Sequence, residues 1–245
     1  MKALADKKEL IRGLQQQILS MQGCHSVLDN SIPITGLGSL SRAFPQNTFP
    51  LGVVHEFLSY SSPDAAATNG FITGIVGQLV RQSGACLWIS TRRTVFPPAL
   101  KSFGIDPDRV VFIDVKCQRD ALWTMEEALK CGGLAAVLGE FTEINFTASR
   151  RLQLAVENSR VTGFIHRFQP RDENTLACVS RWRVRPLSSL TDDGLPGVGF
   201  ARWDVELLKV RNGKPGRWQM AWTGAGLREL NQRTAVTAML SKEAV

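Results

Sequence analysis

Residues 55–79 read HEFLSYSSPDAAATNGFITGIVGQL, an apolar run, a polar turn-rich stretch and a second apolar run. A phosphate-binding unit has this order of strand, loop and helix. In such a unit glycine N–H groups surround the phosphates, a lysine neutralises them and a hydroxyl helps hold Mg²⁺. Gly-Lys-Ser/Thr should then stand just before the helix. That place holds Ala67-Thr68-Asn69-Gly70-Phe71, the stretch 59–70 contains no Lys or Arg, and Asp64 would repel phosphate. Gly-Lys occurs once in the chain, at Gly213-Lys214, where Pro215 follows. Nucleoside triphosphate hydrolysis is therefore not expected, and no cofactor is predicted.

Other reactive constellations fare no better. Glu140 ends an apolar run, where a water-activating or magnesium-linked acid sits in many nucleotide-binding sheets; without phosphate anchors its expected role is structural. His55-Glu56 begins like H-E-x-x-H, but Ser59 occupies the last position. The three histidines (His25, His55, His166) lie in separate segments, and no G-x-S-x-G elbow occurs. The five cysteines (Cys24, Cys86, Cys117, Cys131, Cys178) form no C-x-x-C pair, so neither a disulfide framework nor a zinc site is expected. Trp88, Trp123 and Met125 sit among apolar neighbours and are assigned to the core.

Charge carries more information. The 245 residues have a net charge of +7. Residues 1–149 hold 13 Lys/Arg against 13 Asp/Glu, whereas residues 150–245 hold 16 against 9, so the excess belongs to the second part. Such asymmetry suits contact with nucleic acid or an acidic protein. Arg181, Arg183 and Arg185 alternate and share one strand face; Lys209 and Arg211 do the same on another strand, with Lys214 and Arg217 at the adjoining hairpin. With Trp182, Trp203 and Trp218 nearby, this set is a candidate grip for single-stranded DNA by charge and stacking. A tryptophan between arginines on a strand points to the opposite face, however, so a protein partner is an equal candidate for the basic face.

The elements that must position these residues follow from periodicity. Residues 3–22 carry an apolar stripe, Leu4, Ile11, Leu14 and Ile18, at helical spacing, which predicts an amphipathic helix that docks on its own domain or on a neighbour. Residues 30–52 are rich in Gly, Pro, Ser and Asn and read as an irregular connector. Strands are then predicted at 53–58, 85–90, 109–115, 134–140 and 161–166, alternating with helices at about 66–82, 96–103, 120–131 and 147–159. The runs are short, apolar and β-branched-rich, as buried parallel strands are, and their alternation with helices predicts a covered parallel sheet. Strands without helices follow at 176–184, 201–213 and 216–222, the last two joined at Asn212-Gly213. Residues 186–199 read as a mobile loop, and the chain end as a weak helix or tail. No run of ~18 apolar residues and no signal-peptide pattern occurs, which predicts a cytoplasmic protein without membrane partners.

At FPLGVVHEF, CLWIS, ALWTMEEAL, LAAVLGE, ASRRLQLA and RWDVELLKVRNGKPGRWQMAW the sequence resembles the ImuA family, RecA-like accessory proteins of bacterial error-prone translesion synthesis. The resemblance runs from about Gly36 to Trp222 and rests on the order and spacing of these segments. It implies an α/β fold with a RecA-like, mostly parallel central sheet flanked by helices, an N-terminal helix and a C-terminal β-hairpin extension. The organisation is then residues 1–24 as helix, 25–52 as connector, 53–224 as a RecA-like domain without its phosphate lysine, and 225–245 as tail. It also implies a non-enzymatic adaptor of SOS-induced mutagenesis. Expected partners are an inactive Y-family polymerase homologue (ImuB-like), an error-prone replicative-type polymerase and RecA, with self-association through residues 3–22. Two alternatives stand beside it: a SulA-like cell-division inhibitor acting on FtsZ, and a divergent ATPase.

Overall fold

A computed structural model describes residues 33–82, 84–190 and 199–230. Nine strands among them form one continuous sheet, and three α-helices cover parts of it. The strands are β1 (Val54–Ser59), β2 (Ala85–Ser90), β3 (Val110–Asp114), β4 (Leu134–Phe141), β5 (Thr162–Phe168), β6 (Ser180–Leu190), β7 (Phe200–Val210), β8 (Gly216–Thr223) and β9 (Gly226–Glu229). The helices are α1 (Ser62–Gln82), α2 (Gln118–Leu129) and α3 (Phe146–Ser159).

Spatial order is β3-β2-β4-β5-β1-β6-β7-β8-β9. The first six strands run parallel and the last three continue the sheet antiparallel. The sheet is thus α/β and mostly parallel, as expected of a RecA-like domain. Its C-terminal part is wider than a hairpin: β6 joins the parallel half by pairing with β1, and β7, β8 and β9 form a wing beyond it. The four-residue β9 replaces the beginning of the expected tail.

The two faces differ in what covers them. On one face α1 packs over Phe57, Phe164, Trp182, Val184, Trp203, Val205 and Met220, so a single helix seals both halves of the sheet. On the other, α2 and α3 lie over Val54, Ile89, Val137 and Ile165 of the parallel half. The period-2 alternation along β6 puts Trp182 and Val184 under α1, both fully buried, and turns the intervening arginines to the opposite face.

The stretch expected as a connector is irregular, with two short 3-10 turns at Gly38–Ala43 and Pro45–Asn47. It nevertheless belongs to the core from Ile34 onward, because Leu37, Leu40, Phe44 and Phe49 are buried. Thr35 donates from its N–H and Oγ1 to Gln78 Oε1 at 2.8 and 2.9 Å, tying this segment to α1.

Three boundaries moved for identifiable reasons. α1 begins at Ser62, several residues before the predicted start, because Pro63 suits a first helical turn and Ser61 Oγ accepts from Asp64 N–H at 3.3 Å. β6 runs through Pro186 to Leu190 into the predicted loop; β1 pairs with β6 only as far as Arg183, so Pro186 lies where β6 is an edge on that side, and it still pairs with Trp203 of β7. The predicted helix near 96–103 is a 3-10 helix, Pro97–Phe103.

Candidate functional site

The carboxyl ends of parallel strands are where open α/β sheets hold ligands. There β1 ends at Ser59 and α1 starts at Ser62, leaving Tyr60 and Ser61 as the whole connection. Most of the stretch that would have to wrap phosphate is already helix. Gly70 lies within that helix and serves packing: a Cβ on it would stand 2.9 Å from Trp203 Cζ2. At Gly74 a Cβ would meet Trp222 Cζ3 at 3.0 Å, and at Gly77 the carbonyl oxygen of Phe103 at 2.7 Å. The glycines let the indoles of β7 and β8 and the Phe103–Ile105 segment approach the helix backbone. Glycine, required for phosphate in a nucleotide-binding protein, is used here for tryptophan.

Beneath α1 the strand ends hold a buried polar chain. His166 Nε2 and Ser59 Oγ are 2.9 Å apart, and Ser59 Oγ lies 2.9 Å from Thr68 Oγ1. Burial lowers the His166 pKa to about 4, so the ring is neutral at pH 7. A serine beside a neutral histidine resembles a nucleophile and its base. Ser59 is fully buried under α1 and already hydrogen-bonded to Thr68 and His166, so no surface leads a substrate to it. Sequence spacing could not join these residues, which meet only because β1 and β5 are neighbours. On β4, Glu140 Oε1 accepts from Trp88 Nε1 at 2.9 Å, the structural role expected of it; burial pushes its pKa up to about 7, which that hydrogen bond partly opposes. His55, held between Ser180 Oγ at 2.6 Å and the Pro50 carbonyl at 2.9 Å, is likewise lowered to about 4 by burial, its bond to the Pro50 carbonyl opposing.

The arginines of β6 do share one face, as their alternation predicts, and that face also gathers acids. Arg181 Nε donates to Glu56 Oε2 at 2.7 Å, and Arg167 Nη1 donates to Glu56 Oε1 at 3.0 Å, with Glu56 and Arg167 both buried. Arg167 reaches further to Glu143 at 3.2 Å and to the Asp172 carbonyl at 2.7 Å. Arg183 pairs with Glu173 at 3.4 Å and stands 5.1 Å over the Tyr60 ring. Arg185 donates to Glu206 at 2.9 Å, and Arg217 holds Asp204 bidentately, both bonds at 2.6 Å. Register explains the pattern: Arg183 lies opposite Glu206, Arg185 opposite Asp204 and Glu206 opposite Arg217. Four of the seven predicted contact residues therefore spend their charge within the protein. Lys209 and Lys214 are exposed and have no acidic partner among the described residues, and Arg211 lies at the same end of the wing. The tryptophans predicted to turn inward do so at Trp182 and Trp203, while Trp218 is partly buried against the same core. Leu4, Ile11, Leu14 and Ile18 lie outside the described residues.

Trp123 departs from its expected place. Trp88 and Met125 are core, but Trp123 is 63 % exposed. α2 faces inward through Ala121, Met125, Ala128 and Leu129, and position 123 falls on the opposite side of the helix. Apolar neighbours in sequence are not neighbours around a helix. Phe146 and Leu154 on α3 are also exposed, and Leu154 lines a groove between α2 and α3 with Glu126, Lys130, Arg151 and Ala155. No helix among the described residues is long and apolar enough to cross a membrane, and no group of three or more potential metal-binding side chains occurs among them.

Fold and site together define a RecA-like α/β domain whose first strand and helix are joined by two residues, with no lysine or arginine between residues 59 and 70. No family model matches the chain. Over 208 residues it is 33 % identical to Protein ImuA of Caulobacter vibrioides (strain NA1000 / CB15N), an alignment covering 79 % of this chain and 85 % of that protein. Protein ImuA of strain ATCC 19089 / CIP 103742 / CB 15 gives the same figures. Cell division inhibitor SulA of Yersinia pestis (strain Pestoides F) is 28 % identical over 116 residues, 47 % of this chain and 68 % of that protein. The chain belongs to the ImuA family, and that membership supports a role in damage-induced mutagenesis.

Proposed function

We propose that this protein is a non-catalytic adaptor of SOS-induced translesion synthesis, joining an inactive Y-family polymerase homologue to an error-prone replicative-type polymerase, with RecA as a further partner. The observation that carries the reading is the two-residue link between β1 and α1, with Gly70 packed against Trp203. A phosphate cradle needs a loop long enough to surround the phosphate with N–H groups, and here two residues make the link while Asp64 and Ala65 N–H already donate to Ser61. A RecA-like domain without that loop retains its surfaces as its means of action. The outer faces of α2 and α3 suit the polymerase homologue, because Trp123, Phe146 and Leu154 are large apolar anchors of the kind that dominate protein interfaces.

The test is to delete the gene in its own host, damage the DNA and count mutants, with the wild-type chain and Trp123→Ala returned separately. The adaptor reading expects damage-induced mutation to fall on deletion and to be restored by the wild-type chain. An unchanged mutation frequency in the deletion strain would sink it. Weak restoration by Trp123→Ala, with loss of the polymerase homologue from the captured complex, would locate the contact. The SulA similarity supports a second reading, division inhibition through FtsZ. Retention of FtsZ by the purified protein and slowed FtsZ polymerisation would transfer the function there. For the divergent-ATPase reading, calorimetry with millimolar Mg-ATP decides, and the adaptor reading expects no heat of binding.

A further inference from the structure

We infer that the end of the sheet formed by the beginnings of β1 and β6 is a nucleic-acid contact, with Arg42, Arg160, Lys209 and Lys214 gripping the phosphodiester backbone of a duplex. The four residues come from three distant stretches of sequence, around 42, 160 and 209–214, and the backbone brings them to one end. Arg160 caps α3, and its backbone packs on Gly52, whose N–H donates to Thr162 Oγ1 at 3.0 Å. From there Val179 N–H donates to the Val54 carbonyl at 2.9 Å and Arg211 N–H to the Val179 carbonyl at 2.8 Å. The turn after β7 closes the series, since Lys214 N–H donates to the Ala43 carbonyl at 2.8 Å, beside Arg42. Lys209 stands opposite Arg181 at the same end.

All four side chains are exposed, and none has an ion-pair partner among the described residues. This separates them from Arg183, Arg185 and Arg217, whose acids already occupy them. Unspent cations are what a polyanion requires, because binding gains from the counterions that each phosphate contact releases.

The choice of polyanion rests on what is missing beside the cations. Tyr60, Phe96, Val111, Trp123, Phe146, Leu154 and Phe200 are the exposed large apolar side chains among the described residues. Phe146 and Leu154 lie on α3 but more than a helical turn before Arg160, and the others lie outside the segments that build this end. A protein partner, even an acidic one, normally adds apolar anchors at the centre of its interface. A single strand held by base stacking needs exposed aromatic rings. Cations alone match the regular, sequence-independent phosphates of a duplex.

The inference goes beyond the adaptor reading and is tested on the purified full chain with a labelled random-sequence duplex, by fluorescence anisotropy from about 50 to 200 mM salt. The expected result is binding whose logarithmic salt slope is about −3 to −4, from four phosphate contacts. The variant Arg42→Gln/Arg160→Asn/Lys209→Gln/Lys214→Gln should bind at least about tenfold more weakly and lose most of that slope. Asparagine is chosen at Arg160 because φ there is +63°, a left-handed conformation that Asn tolerates. The control Arg183→Gln/Arg185→Gln/Arg217→Gln should stay within about twofold of wild type if its arginines contribute no phosphate contact. The pairs Arg42→Gln/Arg160→Asn and Lys209→Gln/Lys214→Gln serve if the fourfold variant does not fold. Failure of wild type to bind, equal binding by the variants, tighter binding of the single strand, or capture of poly-glutamate in place of the duplex would each overturn the inference. A negative result here leaves the mutation count and the partner capture unaffected, so the two readings fail separately.

Discussion

The parallel half and the antiparallel wing share one sheet and one covering helix, yet treat the same side chains differently. At the seam between them, on the face opposite α1, Glu56 and Arg167 are almost fully buried, and Arg181 is only 13 % exposed. Further into the wing, Arg185 is 39 % and Arg217 60 % exposed, paired by equally short bonds with the partly exposed Glu206 and with Asp204, whose carboxylate is buried. Bond lengths alone would rank the two groups together. Burial separates them, since water screens an exposed pair and nothing replaces a lost partner inside. Arginine at the seam is architecture, arginine on the wing is more open to water, and at the sheet end the exposed Arg42, Arg160, Lys209 and Lys214 have no ion-pair partner among the described residues.

The largest expected effect tests the seam. Glu56→Gln leaves Arg167 and Arg181 without their shared carboxylate and should cost about 3–5 kcal/mol of unfolding free energy in a denaturant titration. A loss under about 1 kcal/mol would put the seam on the same footing as the wing. Next is the parallel half's own buried acid. The pKa of Glu140 is raised to about 7 in the fold, so the folded state binds more protons than the unfolded one between about pH 4.5 and 7. Stability from this group is full below about pH 4.5 and falls as pH rises through 7. His55 and His166, lowered to about 4, act in the opposite sense: their contribution is present above about 6.5 and lost as pH falls toward 4. Glu140→Gln keeps an acceptor for Trp88 and should gain up to about 3 kcal/mol relative to wild type at pH 8, with little difference at pH 4. Equal stability of the two proteins across that range would show that the carboxyl ionises without penalty. The smallest effect belongs to the wing, where Arg185→Gln, whose pair with Glu206 is open to water on both sides, should change stability by about 0–1 kcal/mol and less at high salt. A loss above about 2 kcal/mol would mean that this pair supports the wing as the seam supports the core.

Much of this architecture was legible in advance. Short β-branched runs alternating with helical periods announce a covered parallel sheet, and the absence of a lysine before Phe71 announces that phosphate is not held there. Alternation along β6 placed arginines on one face and Trp182 on the other. Legibility ended where the answer lay across strands. The acids that quench Arg181, Arg185 and Arg217 come from β1 and β7, and no local pattern marks them as partners. Trp123 looks apolar-flanked in sequence but is exposed, because its neighbours along the chain are not its neighbours around α2. Arg42 is solitary in sequence and draws no notice there, and Arg160 counts only as one of the basic residues after position 150.

By itself, then, the sequence determined the elements, their mostly parallel arrangement, the missing phosphate lysine and the basic excess after residue 150, because propensity, periodicity and composition are local quantities. Only the tertiary structure decided that α1 begins early enough to leave a two-residue link, that Gly70 and Gly74 admit tryptophans, and which cations remain unpaired. Those outcomes depend on strand order and register, which bring residues a hundred positions apart within hydrogen-bonding distance and are set by the packing of the whole sheet.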